Sequence, residues 1–188
     1  MFLGGTKEMK KSLLVLSALL ALSMAFVGCK NGGSDPVESD PVESDPDWFT
    51  GKGALTLNAY DTVIDLDGPI SLAGYTTFEA TVRICDKNGV SKFAVQTMAS
   101  NGDQSSATVA IEDLSKTESF VVTGACGSTA TYQSWPGPVD KACANEIGKI
   151  QVYAQDSSYV AMVGPKILLE KVVVKGEGKE DLVVFENN

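Results

Sequence analysis

The sequence contains no histidine, and its basic residues are few. Without histidine the chain cannot form a Ser-His-Asp triad, a Cys-His pair or a His-ligated zinc site. It also lacks the side chain that most often shuttles protons near neutral pH. The 15 basic residues are outnumbered by 24 acidic ones, which gives a net charge of −9. Because nucleic-acid binders hold phosphates with clusters of Lys and Arg, this balance argues against a nucleic-acid partner.

A long apolar run lies near the N-terminus. Ser12 to Val27 carries no charge, is rich in Leu and Ala, and follows the basic start Met9-Lys10-Lys11. A permanent membrane-spanning helix needs about 20 apolar residues, so this run is short for one. A basic start, a short apolar run and small residues at its end are typical of an export signal. We therefore predict that residues 1–28 are a signal peptide and that translation starts at Met9.

The apolar run closes with Phe26-Val27-Gly28-Cys29, which resembles a bacterial lipobox, although Leu is more usual where Phe26 stands. The resemblance implies that Cys29 becomes the first residue of the mature protein and carries acyl chains such as palmitate. Several inserted chains would hold the protein stably to a membrane. We expect a lipoprotein anchored to a bacterial membrane, such as the cell outer membrane, that faces the periplasm or the cell surface. A plain secretory signal without lipid is the alternative.

Residues 29–47 are predicted to be an acidic, proline-rich linker. Ser34-Asp-Pro-Val-Glu38 is repeated as Ser39-Asp-Pro-Val-Glu43, and the motif begins again at Ser44. Proline at every fifth position blocks helix and sheet pairing, and the acids repel one another, so the segment should stay extended and disordered. Trp48 and Phe49 are expected to pack where this linker meets the folded domain.

Residues 48–188 have the pattern of an all-β domain. Short runs of Val, Ile, Thr and aromatic residues are separated by Gly, Asp, Asn and Ser. No segment of comparable strength shows helical periodicity, so we predict an antiparallel two-sheet β-sandwich. The predicted strands are Ala54–Asn58, Thr62–Leu66, Thr77–Cys85, Ser91–Ala99, Ala107–Glu112, Glu118–Thr123, Lys149–Gln155, Lys166–Lys175 and Asp181–Phe185.

Three of these segments carry a resemblance to a known family. They are the alternating strand that follows a turn in 72–84, the polar-faced strand 149–155, and the closing strand Lys166-Ile-Leu-Leu-Glu-Lys-Val-Val-Val-Lys175. Together they resemble jelly-roll carbohydrate-binding modules of the galactose-binding-like superfamily, over about residues 53–176. The resemblance implies a jelly-roll sandwich, polysaccharide as the ligand, and a structural calcium ion as a common addition.

A loop rich in turn-forming residues carries the first candidate sugar-binding residues. Tyr132, Gln133 and Trp135 lie in Thr131-Tyr-Gln-Ser-Trp-Pro-Gly-Pro138, where neither ring has an obvious register with the core. Sugar sites stack aromatic rings on the apolar faces of pyranoses, so an exposed Trp135 would suit one. The alternative is that Trp135 plugs the end of the sandwich beneath its own loop.

Strand faces carry the other candidates. Gln151, Tyr153 and Gln155 share one face of a predicted strand, and Arg83 lies on the non-core face of another. Amides and guanidinium groups can orient sugar hydroxyls. If these strands line a concave sheet, the residues form a polar groove; if they line the outer surface, they are simply solvated.

The calcium ion implied by the resemblance would need several oxygen ligands. Asp61, Asp65, Asp67 and Glu170 are the candidate ligands. Surface acids without a metal ion are the alternative for these four residues.

Three cysteines remain after Cys29. Cys126 and Cys143 bracket the Trp135 loop, and a disulfide between them would stabilise the fold by about 3 kcal/mol in the chain-entropy model. Cys85 would then be the odd thiol. The pairings 85–126 and 85–143 remain open.

Three functions follow from these observations. The leading hypothesis is noncovalent polysaccharide binding by a membrane-anchored lipoprotein. The second is a structural or host-interaction lipoprotein of the same fold, whose Trp135 loop contacts a protein. The third is a glycosidase, which needs two carboxyls about 5–5.5 or 6.5–9.5 Å apart. Because no spacing of the acids marks such a pair, the sequence predicts a binding protein and not an enzyme.

Overall fold

The computed structural model describes residues 44–134 and 139–188, apart from the side chains of Ser134 and Val139. The predicted signal peptide, Cys29, most of the predicted linker and Trp135 lie outside these residues. Within the described part there is no helix, and therefore none long and apolar enough to cross a membrane. The strands are β1 (Ala54–Asn58), β2 (Val63–Ser71), β3 (Thr77–Asp86), β4 (Lys92–Met98), β5 (Val109–Ile111), β6 (Phe120–Ala125), β7 (Thr131–Ser134), β8 (Val139–Ala142), β9 (Glu146–Gln155), β10 (Val163–Lys175) and β11 (Leu182–Glu186).

Alternation of apolar and polar residues explains why these segments form strands. In β3, Phe78, Ala80 and Val82 are fully buried, while their neighbours in sequence face outward. The strand ends at a turn in which Gly89 has a φ of 73°, a conformation that suits glycine. The β3–β4 connection therefore contains a tight turn at Asn88-Gly89, but it crosses from one sheet to the other, so the β-hairpin that this sequence favours is not formed.

Two antiparallel sheets build the sandwich. One has the order β1-β10-β3-β6, with β11 also paired to β10, and the other has the order β2-β9-β4-β5. Consecutive strands of the two main sheets alternate between them, apart from the neighbours β4 and β5 and the neighbours β10 and β11. The hairpin β7–β8 forms a separate two-stranded sheet. This is jelly-roll topology, so the predicted all-β sandwich is confirmed.

The core lies between the two sheets. Phe78 of β3 and Phe93 of β4 are both fully buried and face each other's sheet, together with apolar residues of β9 and β10. Since each strand turns one face inward, each sheet also has an outer face. The two outer faces differ in what covers them.

The described end of the linker lies on the outer face of the five-stranded sheet. The Arg83 guanidinium stacks 3.8 Å from the ring centroid of Trp48, which in turn packs edge-on against Phe49. Lys166 donates a hydrogen bond to the carboxylate of Asp45. The chain from Asp45 onward therefore belongs to the packed structure, and Trp48 packs where the linker meets the domain.

The predicted Cys126–Cys143 disulfide is not formed. Cys85, Cys126 and Cys143 are all free thiols. Burial raises the pKa of Cys126 to about 11, with a smaller contribution from Cys143, and burial also raises the pKa of Cys143. Because disulfide formation proceeds through the thiolate, these two protonated thiols behave as small apolar core residues.

Candidate functional site

The outer face of the four-stranded sheet brings three of the predicted residues together. Gln151, Tyr153 and Gln155 alternate along β9 with buried residues and so share its outer face. The β4–β9 register places Gln96 beside Gln151 and Lys92 beside Gln155. Amide and aromatic side chains therefore form one continuous surface across two central strands.

Three tyrosines cluster on this surface, and we refer to Tyr60, Tyr153 and Tyr159 with their polar neighbours as the tyrosine face. Tyr60 lies in the β1–β2 turn, and its ring meets that of Tyr153 edge-on at a centroid distance of 4.9 Å. Tyr159 lies in the β9–β10 loop and is 72% exposed, while Tyr60 is 47% exposed. The arrangement offers aromatic surface to solvent in a domain that has few aromatic residues.

Unusual backbone conformations hold two of these tyrosines. Ala59, which precedes Tyr60, has a φ of 49°, and Tyr159 itself has a φ of 63°. Among the described residues these are the only two non-glycine positions with positive φ, and both belong to this face. The two turns are joined directly, because the Ala59 N–H donates to the carbonyl of Met162 at 2.9 Å. Strain of this kind is kept only where the surroundings enforce it, and it concentrates at functional sites.

The Tyr159 loop is held by its first residue. One carboxylate oxygen of Asp156 accepts hydrogen bonds from the N–H groups of Ser158 and Val160 at 2.8 and 2.9 Å. The backbone closes the same turn, because the Asp156 N–H donates to the carbonyl of Val160 at 3.0 Å. The ring of Tyr159 is thus presented on a tight, internally bonded turn.

Side-chain amides of glutamines on the sheet form hydrogen bonds to the turns that carry Tyr60 and Tyr159. Gln155, which is only 8% exposed, donates from Nε2 to the Tyr60 hydroxyl at 2.8 Å and to the Tyr159 carbonyl at 3.1 Å. Gln96 donates to Gln151 Oε1 at 2.6 Å, and Gln151 donates to the Tyr60 carbonyl at 2.5 Å. The β1–β2 turn is therefore bonded to both β9 glutamines, and through Gln151 to β4.

The hydroxyl of Thr108 extends this hydrogen-bond network towards β5, the edge strand of the same sheet. Thr108 Oγ1 donates to the side-chain oxygen of Gln96. Burial raises the pKa of Tyr153, the nearby Tyr60 raises it further, and a hydrogen bond with Thr108 opposes the shift. Tyr153 therefore stays protonated at neutral pH and keeps a hydroxyl that can donate.

A cavity of about 410 Å³ adjoins the tyrosine face at its Tyr159 end. The Lys92 ammonium lies 4.8 Å from the centroid of the Tyr159 ring. The cavity is lined by Ser91, Lys92, Glu112, Asp156, Ser157 and Tyr159. One aromatic ring, three hydroxyls and three charged groups thus surround a space of the size that small ligands occupy.

The other predicted ligand-binding residues lie elsewhere. Arg83 is on the opposite sheet, where it contacts Trp48 and donates from Nε to the Thr117 carbonyl at 3.2 Å. Tyr132 and Gln133 belong to the β7–β8 hairpin, where Tyr132 pairs with Lys141. Trp135 lies outside the described residues. The six described residues therefore divide among three places: Gln151, Tyr153 and Gln155 share one sheet face, Tyr132 and Gln133 share the hairpin, and Arg83 lies on the other sheet.

The predicted calcium ligands do not form a site. Among residues 44–134 and 139–188, no three Asp, Glu, Cys or His side chains group closely enough to hold a metal ion. Asp65 pairs with Lys149 at 3.4 Å, and Glu170 on the other sheet accepts a hydrogen bond from Ser119 at 2.5 Å. Asp61 lies in the β1–β2 turn, and Asp67 lines a second cavity of about 410 Å³ between β2 and β11. Asp65 and Asp67 lie close together on β2, but Asp61 lies in the turn before that strand and Glu170 lies on the other sheet.

Three residues of the tyrosine face were missed from the sequence. Tyr60 and Tyr159 lie in turns, and Gln96 lies in a strand whose neighbours are nearly all buried. Tyr159 follows Asp156-Ser157-Ser158, so an aromatic residue among turn formers was the available signal. The same signal marks Trp135 among the turn formers of residues 131–138.

Comparisons of this chain with protein families, with curated proteins and with solved structures find no significant match.

Proposed function

We propose that the protein binds carbohydrate noncovalently, and that the tyrosine face is the binding surface. The observation that supports this most strongly is the backbone of its two turns. The only described non-glycine residues with positive φ carry or precede exposed tyrosines, and Gln155 bonds to both turns. A ring fixed in place before the ligand arrives loses little conformational freedom on binding.

The chemistry of the surface suits a sugar. Tyrosine rings pack against the apolar C–H faces of pyranoses, while their hydroxyls remain able to form hydrogen bonds. Amides and carboxylates beside them can accept from sugar hydroxyls, and Lys92 can donate. These groups occur side by side along the outer face of β9 and in the adjoining cavity.

We further propose that the domain is carried on an acylated anchor. This part of the proposal depends on the lipobox resemblance at Cys29 and on the acidic repeats that follow it. A lipid-anchored stalk would hold the tyrosine face at a bacterial membrane surface, outside the cytoplasm, where extracellular or periplasmic glycans are present.

A protein partner is the second candidate function. Val160 and Val163, which are 59% and 71% exposed, lie close in sequence to Tyr159. Exposed aliphatic residues next to exposed aromatic ones are typical of protein interfaces. In that case the same face would contact a polypeptide instead of a glycan.

Retention on insoluble polysaccharides tests the proposal. The purified full-length protein in detergent should be retained by at least one plant, algal or bacterial polysaccharide. Tyr159→Ala should weaken retention by about 10-fold, because a stacked aromatic contact contributes roughly 1–3 kcal/mol.

Two further variants locate the site. Tyr132→Ala removes a tyrosine from the β7–β8 hairpin and should leave retention unchanged, and Trp135→Ala tests the adjacent loop. Loss of retention in these variants, but not in Tyr159→Ala, would move the site to the hairpin. Retention on no polysaccharide of the panel would favour the protein partner.

A further inference from the structure

We infer that the tyrosine face selects glycans that carry no negative charge, and that Glu112 determines this selectivity. The inference rests on the proposed function and adds the class of sugar. It follows from the charged groups that surround the two exposed tyrosines.

Acids outnumber bases around the exposed rings. Asp61 follows Tyr60 in the β1–β2 turn, while Glu112 and Asp156 line the cavity beside Tyr159. Lys92 is the one basic residue among the six that line this cavity, and it faces the Tyr159 ring. At the far end of the sheet, Lys149 is neutralised by Asp65 at 3.4 Å. The local balance is therefore negative, as is the net charge of −9 for the whole chain.

Sites that bind acidic sugars need more basic than acidic residues. Carboxylates and sulfates are held by Arg forks or by several Lys residues. The single arginine of the chain, Arg83, lies on the other sheet against Trp48. A carboxylated sugar stacked on Tyr159 would instead bring its charge close to Glu112 and Asp156, with one lysine to offset them.

Glu112 is the acid best placed to act on the ligand. It directly follows Ile111, the last residue of β5, which pairs with Phe93, so Glu112 lies beside Lys92 at the same end of the sheet. It is exposed and has no ion pair within the described residues. Asp156 differs, because its carboxylate already holds the Tyr159 loop through Ser158 and Val160. Substituting Glu112 therefore changes the charge of the cavity without releasing that loop.

Matched polymers test the inference directly. The probes are insoluble hexose polymers, each before and after oxidation of its C6 hydroxyls to carboxylates. At low ionic strength the protein should bind the oxidised form of its retained polymer at least about 10-fold more weakly. The reason is that the new carboxylates of the polymer and the carboxylates of Glu112 and Asp156 repel each other when little salt screens them. Glu112→Lys should recover most of that loss, and high salt should reduce the difference.

The control is Glu177→Lys, which makes the same change in net charge at an exposed position in the β10–β11 turn. Glu177→Lys should strengthen binding of the oxidised polymer by at most about twofold. Equal or tighter binding of the oxidised polymer by the unsubstituted protein would overturn the charge inference and leave the proposed function standing. Equal recovery by both variants would show a general charge effect and remove the role of Glu112. Retention of neither form of any polymer would overturn the proposed function, and the inference with it.

Discussion

Gln155→Met is expected to loosen the Tyr159 loop before any ligand binds. The substitution keeps the length of a side chain that is only 8% exposed and removes its hydrogen bonds to the Tyr60 hydroxyl and the Tyr159 carbonyl. Each such bond contributes about 1 kcal/mol, and only the bond to the Tyr159 carbonyl holds the loop itself, so the loop should lose about 1 kcal/mol of local stability. At about 1.4 kcal/mol per factor of ten, the amides of Tyr159 and Val160 should exchange with solvent about 5-fold faster.

Amide hydrogen exchange, monitored by NMR in the free protein, measures this effect. Gln133→Met is the matched control, since it makes the same change at an exposed residue of the β7–β8 hairpin. Glycan affinity should also fall in Gln155→Met, although Gln155 is too buried to form much of the sugar contact itself. Exchange rates within about 1.5-fold of those of the unsubstituted protein would show that Gln155 does not hold the loop.

Three further predictions follow from the same structure. Because folding raises the pKa of the Cys126 thiol from its ordinary value of 9.0 to about 11, the folded state binds this proton more tightly. The free energy of unfolding should therefore fall between about pH 9 and pH 11. Cys126→Ala should remove that part of the fall in urea melts, and an identical pH dependence in this variant would contradict the assignment. Trp48→Ala and Arg83→Ala should each lower stability by roughly 1–2 kcal/mol, with a coupling of about 0.5–1 kcal/mol in a double-mutant cycle. Additive effects would show that the stacking contributes nothing. Cys29→Ala should move the protein from the detergent phase to the aqueous phase, and an unchanged partition would rule out lipidation at this residue.

The positions of most strands could be predicted well from the sequence. Alternation in β3 and β9 reflects one buried face, so the strands and the outward direction of Gln151, Tyr153 and Gln155 could be predicted. The β7–β8 hairpin was missed, because its strands are only four residues each and flank a segment rich in proline. Short strands of this kind carry too few alternating positions to stand out.

The composition of the site could not be predicted, because it depends on pairing between distant segments. Arg83 and Gln151 both face outward, but alternation cannot show that they lie on opposite sheets. Tyr60 reaches Tyr153 only because β2 pairs with β9, and the Ala59–Met162 bond fixes the turn from a third segment. The cysteines illustrate the same limit, since spacing suggested a bond that the folded chain does not form.

An NMR titration of the protein with a soluble fragment of its retained glycan tests the central claim most directly. The ring resonances of Tyr60, Tyr153 and Tyr159 should shift together as the sugar binds, while those of Tyr75, which packs under Lys179 on another part of the domain, should stay in place. Shifts confined to Tyr132 and its hairpin, or no shift in any tyrosine on saturation, would contradict the account.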